Sequence, residues 1–245
     1  MQDTMMLPGL GLMMMDETHI LIAGSTNCGK TTLLRDFLYT AIGKGGCALY
    51  LIDPKQTEFY QYQKYTAVHK YAKDSQEAVK VLEEAIHEMN RRFAKMRKSG
   101  LTQSNEYDIY IVIDELADLL ISPEAPIIKR HIQKLTQLSR STNIHLIAAT
   151  QQPNRRCLSA ELTLNFTCRI GMACRSAIES RQIIGQPGCE LLPRPNRSAE
   201  DQTRKLIYDN GCDEPFISDV MYISPEEFRN DLSFRERRGL LGFFK

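Results

Sequence analysis

HILIAGSTNCGKTT, residues 19–32, joins a short unbroken apolar run to a glycine-containing turn and then to a lysine and two threonines. An apolar run of that length reads as a strand buried on both faces, and residues 30–42 read as the helix that follows it. Gly24, Ser25, Thr26, Asn27, Cys28, Gly29, Lys30 and Thr31 fill G-x-x-x-x-G-K-[ST] at every fixed position. They do so in the strand–turn–helix setting that gives this pattern its meaning. Gly24 and Gly29 let the backbone turn tightly, so that successive N–H groups converge on one concavity. That concavity and the positive end of the following helix receive phosphate. Lys30 is expected to reach the β- and γ-phosphates, the Thr31 hydroxyl to bind Mg²⁺, and Thr32 to touch the α-phosphate. ATP and Mg²⁺ are the cofactors this stretch implies.

Two further apolar runs end in polar residues suited to the same chemistry. Residues 110–115, YIVIDE, read as a strand closed by two carboxylates. Asp114 at such a strand end can hold the hydration shell of Mg²⁺, and Glu115 can polarise the attacking water as a general base. Asp118 follows four residues after Asp114 and is assigned no role. Residues 144–151, IHLIAATQ, read as another buried strand, with Gln151 as the candidate sensor of the γ-phosphate. Arg140 stands just before it, at the end of an expected helix. An arginine there either favours the negative end of the helix dipole or serves as a finger reaching a neighbouring subunit's phosphate.

Around these motifs, short apolar runs alternate with longer periodic stretches, which predicts βαβ units and a mainly parallel sheet flanked by helices, an α/β fold. Strands are expected over 19–24, 47–53, 107–114, 144–150 and 167–173, and helices over 30–42, 74–98, 127–142 and 176–184. Within 74–98 the apolar residues Ala78, Val81, Leu82, Ala85, Met89, Phe93 and Met96 share one helical face, with Asp74 or Ser75 as the cap. Residues 186–205 carry Pro187, Pro193 and Pro195 and read as a loop or insertion. One or two strands are expected in 206–223 and a short helix over 225–232. The Met-rich start, residues 1–18, reads as an apolar strand or arm packed on a domain of residues 19–245.

Bulk composition excludes more than it selects. The net charge of +1 argues neither for nor against a nucleic-acid partner. Seven cysteines, with no CxxC pair, exclude a zinc site or disulfide framework as the organising element and fit a cytoplasmic protein. The Met-rich start is too interrupted for a signal peptide or membrane span, and no other run approaches the ~20 apolar residues of a spanning helix. Direct membrane insertion is therefore not expected.

The ordered segments HILIAGSTNCGKTT (19–32), LIDPKQTEF (51–59), EMNRRFAKM (88–96), IVIDELADLL (111–120), SRSTNIHLIAATQQPN (139–154) and CRIGMACRSAIESRQIIG (168–185) resemble the motor domain of FtsK/SpoIIIE DNA translocases. The resemblance covers residues 19–185 and implies a RecA-like P-loop fold and a homo-oligomeric ring, usually a hexamer. It also implies ATP-driven movement along double-stranded DNA. It supports Gln151 as sensor and Arg140 as the trans-acting arginine, and it places Arg169, Ser180 and Arg181 at a subunit interface. Asp53 and Lys55 match the I-D-P-K segment without an assigned role. Two departures stand out: Asn143 occupies a position where the family usually has Gly, and residues 187–205 replace a Gly-rich stretch. With no membrane spans and no room for a winged-helix module, the chain looks like a minimal motor, as expected of a mobile element or phage.

Contacts to DNA in such a motor go mainly to phosphates, since it must tolerate any sequence. Arg155, Arg156, Arg194 and Arg197 are the candidates. Two other functions compete: a P-loop ATPase driving protein secretion or conjugative coupling, and a nucleotide-gated assembly module. Retention of Lys30, Asp114 and Glu115 argues against the second.

Overall fold

The computed structural model describes residues 10–151, 159–194, 203–221 and 226. A short helix, α1 (Leu10–Met15), leads into β1 (His19–Ala23), and the phosphate-loop turn connects β1 to α2 (Lys30–Lys44). Then come β2 (Cys47–Ile52), β3 (Val68–Ala72), α3 (Ser75–Ser99), β4 (Asp108–Ile113), α4 (Leu116–Leu120), α5 (Ala125–Leu138) and β5 (Ile144–Thr150). The described chain ends with α6 (Ala160–Thr163), β6 (Cys168–Met172), α7 (Ala177–Ile184) and the pair β7 (Thr203–Asp209) and β8 (Phe216–Met221).

The eight strands form one sheet in the order β3-β2-β4-β5-β1-β6-β7-β8. The six from β3 to β6 are parallel, and β7 and β8 continue antiparallel. Both faces are covered, which is why β1 and β2 are apolar and buried along their whole length. Alternate side chains go to opposite layers. Ile20, Ile22, Leu49, Leu51, Val112 and Ile147 meet Met14, Leu34, Phe37 and Ile183 from α1, α2 and α7. Leu21, Ile52, Ile111, Ile113, Leu146 and Ala148 meet Leu82, Met89, Ile128 and Ile132 from α3 and α5. β1 is thus a central strand with β5 on one side and β6 on the other, and its carboxyl end opens into the crevice where such sheets bind ligands.

The ends of α3 follow its sequence. The Asp74 carboxylate caps it by accepting the Glu77 N–H at 2.8 Å, and Gly100 closes it at φ 66°. The Met-rich start, expected as an apolar strand or arm packed on the domain, supplies the helix α1 rather than a strand, and α1 packs on the core. Met14 lies in the core, Gly11 N–H donates to Asp36 Oδ2 at 2.8 Å, and the Met15 carbonyl accepts from Tyr110 Oη at 2.9 Å. β3 was not anticipated: VHKYA is an edge strand of mixed polarity. Thr203 to Lys205, expected in a loop, begin β7. The helix expected over 225–232 lies outside the described residues, apart from Glu226.

Two segments with specific sequence patterns brace the turn before β5. Arg92, from the E-M-x-R-R segment, is fully buried in α3. It donates to the Tyr107 and Thr142 carbonyls at 2.8 Å each and to Glu88 Oε1 at 2.8 Å. Asn143 is left-handed, φ 55°, which is the reason a Gly suits this position equally well. Its amide nitrogen donates to the carbonyls of Ser104 at 3.2 Å and Glu106 at 2.9 Å.

Candidate active site

The phosphate loop is stitched to the end of β6. Ser25 N–H donates to the Ala173 carbonyl at 2.9 Å, and the Cys28 thiol donates to the same oxygen at 3.1 Å. Gly24 is needed for close approach, because a Cβ there would fall 2.8 Å from Met172 Cβ. Gly29 adopts φ 104°, a left-handed conformation that starts α2. Lys30 is buried, and its ammonium donates to the carbonyls of Gly24 at 2.8 Å and Ser25 at 2.7 Å. Burial pulls its pKa down to about 8, against the opposing pull of Cys28, Glu115 and Asp114. Thr31 and Thr32 follow in the first turn of α2, Thr31 half-buried and Thr32 buried.

Asp114 and Glu115 sit at the carboxyl end of β4, two strands from β1. Burial, reinforced by Glu58, Asp53 and Glu115, pushes Asp114 up to about 7. Glu115 is buried and caps α4. Its Oε1 accepts from Thr150 Oγ1 at 2.9 Å, Gln151 N–H at 3.1 Å and Ala117 N–H at 3.3 Å. Its Oε2 takes a longer Gln151 N–H bond, 3.2 Å, and lies 3.6 Å from Lys55 Nζ. Oε2 therefore keeps lone-pair capacity for a water. Thr26 Oγ1 donates to Gln151 Oε1 at 2.8 Å, so the end of β5 is tied both to the phosphate loop and to Glu115.

The I-D-P-K segment, whose role the sequence left open, divides its work. The Asp53 carboxylate is buried and accepts from Glu58 N–H at 2.9 Å and Phe59 N–H at 2.8 Å, closing the loop after β2. Lys55 pairs with Asp118 at 3.3 Å as well as with Glu115. The fixed acidic pair thus faces a lysine from a different strand end, a contact between distant segments that no local motif announces.

Arg140 lies elsewhere. It is exposed in the turn Ser139–Thr142 before β5, and its charge contributes to lowering the pKa of His19, the first residue of β1. This is the amino end of the strands, opposite the end that carries the phosphate loop. The seven residues of β5 separate the two ends by roughly 20 Å. Ser180, which the resemblance placed at a subunit interface, is fully buried within the chain, donates to the Gln186 carbonyl at 2.7 Å and accepts from Cys189 N–H at 3.1 Å. It braces the loop after α7. Arg169 is half-buried and donates to the Thr163 carbonyl at 3.2 Å, whereas Arg181 is exposed. Arg194 is exposed; Arg155, Arg156 and Arg197 lie outside the described residues.

The donor set fits Mg²⁺. The Thr31 hydroxyl and Asp114 carboxylate are hard oxygen ligands, and the carboxyl groups crowded around Asp114 favour a cation. Among the described residues no cluster of three or more His, Cys, Asp or Glu is placed to hold a metal.

A mainly parallel α/β sheet with a phosphate loop after β1 and an acidic pair after β4 defines the P-loop NTPase class, in its RecA-like form. Residues 8–111 match the family model described as the FtsK/SpoIIIE family. A protein named DNA translocase FtsK from Caldanaerobacter subterraneus subsp. tengcongensis is 31% identical over 231 residues, 88% of this chain and 31% of that protein. DNA translocase SftA of Bacillus subtilis is 30% identical over 228 residues, 85% of this chain and 23% of that protein. The pCW3 conjugation coupling protein TcpA, solved as a monomer with ATPγS, shares the fold. Its TM-score is 0.76 at 23% identity over 91% of this chain and 66% of that one. Over residues 8–111 the chain is similar to the FtsK/SpoIIIE family, and its likeness to these relatives extends over most of its length. The chain spans less than a third of the length of these curated relatives. Among the described residues no helix is long and apolar enough to cross a membrane.

Proposed function

We propose that this chain is an ATP-hydrolysing motor that moves double-stranded DNA, working in the cytoplasm as a homo-oligomeric, hexameric ring. Residues 19–245 form the motor unit and residues 1–18 an N-terminal arm. The observation that carries the ATPase reading is the seat of Glu115, held by Thr150 and Gln151 at the end of β5 while Gln151 also binds Thr26 of the phosphate loop. A base fixed in this way is aimed without reorganisation, a condition of efficient proton abstraction. The names of the similar DNA translocases support DNA as the polymer.

In this reading the loop N–H groups and Lys30 grip the β- and γ-phosphates, Lys30 exchanging its two carbonyl partners for phosphate oxygens. Thr31 and Asp114 hold Mg²⁺, which neutralises charge on the transferring phosphate. Glu115 Oε2 takes a proton from the attacking water, and Lys55 steadies its negative charge. Gln151 senses loss of the γ-phosphate and passes it through Thr26 to the loop. Arg140 acts on a neighbouring subunit's nucleotide. Its position at the far end of the strands supports this, since it cannot reach its own phosphate loop.

The test is steady-state ATP hydrolysis by the wild type and Lys30→Ala, with and without long linear duplex DNA. Strong stimulation by DNA, abolished in Lys30→Ala, is expected. Hydrolysis that ignores DNA but responds to a polypeptide would replace the DNA motor by a secretion-type ATPase. Slow hydrolysis that ignores every polymer would replace it by a nucleotide-gated assembly module.

A further inference from the structure

On the side of the phosphate loop away from Glu115 and Gln151, the aliphatic stem of Arg204 lies against Gly29. A Cβ on Gly29 would come 2.7 Å from Arg204 Cγ, 2.9 Å from its Cβ and 3.3 Å from its Cδ. The guanidinium begins one bond beyond Cδ, so with the stem packed here its charge lies beside the loop. The backbone aims it there. β7 runs antiparallel to β6, with Leu206 opposite Met172. Arg204, two residues earlier in β7, therefore stands past the end of β6, level with Cys174 and one residue beyond Ala173, whose carbonyl anchors Ser25 and Cys28. A second arginine, Arg194, is close enough for its charge to favour the Cys28 thiolate. Burial still dominates that thiol and pushes its pKa up.

A nucleotide on this loop has a defined direction. Its γ-phosphate must face Glu115 and Gln151 on the β5 side, so its α-phosphate and nucleoside extend toward β6 and β7. We infer that Arg204 is a nucleotide-binding residue of this chain's own site, gripping the α- and β-phosphates from the β7 edge. Arginine suits the task, since its planar fork pairs with phosphate oxygens bidentately while its stem packs on apolar surface. The contact is absent from any local motif because β7 lies far along the chain from the loop. It makes the β7–β8 hairpin part of the nucleotide site, complementary to the arginine that Arg140 supplies to a neighbour. The inference rests on the phosphate-loop reading above.

Binding of fluorescent mant-ADP and mant-ATP to the wild type, Arg204→Met, Arg204→Lys and Lys30→Ala separates the two ideas. Methionine keeps an apolar stem against Gly29 and removes the charge. Arg204→Met is expected to weaken both nucleotides by about tenfold and to the same degree, as for loss of one charge-assisted contact at a half-exposed site. Arg204→Lys should recover part of the loss. Wild-type affinity in Arg204→Met overturns the inference. So does a loss confined to mant-ATP, which would move the contact to the γ-phosphate. A measurement that needs no variant is phenylglyoxal labelling of wild type: ADP should protect Arg204 and adenosine should not. Labelling indifferent to ADP overturns the inference equally. A wild type that binds neither nucleotide, or Lys30→Ala that binds both normally, instead contradicts the phosphate-loop reading itself.

Discussion

The Thr26 hydroxyl donates to the Gln151 amide oxygen at 2.8 Å, joining the middle of the phosphate loop to the last residues of β5. The Gln151 backbone N–H also reaches Glu115, so one residue touches both the phosphate cradle and the base. Gln151→Ala removes the first contact and keeps the second. It is expected to leave nucleotide affinity near wild type and to lower DNA-stimulated turnover about tenfold or more, each tenfold being about 1.4 kcal/mol in the barrier. Equal losses in affinity and turnover would assign Gln151 to binding rather than sensing.

Arg140 and the phosphate loop lie at opposite ends of neighbouring strands, so a catalytic Arg140 must act between subunits. Arg140→Ala is expected to cost roughly 10³ in turnover, the lower end for a transferred arginine. Mixed with Lys30→Ala subunits, it should regain activity, because some interfaces then pair an intact loop with an intact arginine. Mixtures no more active than the separate variants would remove Arg140 from catalysis.

Asn143 joins a left-handed backbone to three side-chain bonds that hold the turn bearing Arg140, two donated to the Ser104 and Glu106 carbonyls and one accepted from Gln103 Nε2. Asn143→Gly keeps the backbone and loses the bonds, at about 1 kcal/mol. Asn143→Ala loses the bonds and also strains the backbone, by a further 1–2 kcal/mol or so. Urea unfolding should rank stability as Asn above Gly above Ala. Alanine equal to or above glycine would show that the left-handed conformation is not maintained.

His19 predicts a pH dependence of folding. Its Nδ1 accepts the Leu146 N–H at 3.1 Å, across the β1–β5 pair, so the neutral ring is the one that fits. Burial first, then His145 and Arg140, lower its pKa to about 3. Asp108 lies 3.1 Å from His145 Nε2. A lowered histidine pKa means that the unfolded chain binds the extra proton, so stability is complete above pH 6.5 and is lost as pH falls toward 3. Thermal melts should drop between pH 7 and 5, and less so in His19→Asn. Parallel pH profiles for the two proteins would exclude His19 as the cause.

The sequence was most readable where chemistry is local. The phosphate loop, the strand ending in Asp114 and Glu115, and the strand ending in Gln151 each carry their signal within about ten residues, and all three meet at one end of the sheet. Contacts between separate strand ends were not readable. Lys55 facing Glu115 depends on β2 and β4 being neighbours, and Arg204 facing Gly29 depends on a hairpin that begins inside an expected loop. β3 was missed because an edge strand of mixed polarity lacks the apolar run that marked the others. Asn143, a departure from the family pattern in the sequence, is accounted for by its backbone: a left-handed residue that glycine or asparagine can fill.

The central claim is that hydrolysis moves duplex DNA, and displacement of a third strand from one end of a linear duplex tests it most directly. With ATP, the wild type is expected to release the strand after a lag that lengthens in proportion to the duplex ahead of it. Glu115→Gln should bind ATP, assemble and release nothing. DNA-stimulated hydrolysis by wild type without any ATP-dependent release would contradict the claim, leaving a DNA-responsive ATPase that does not translocate.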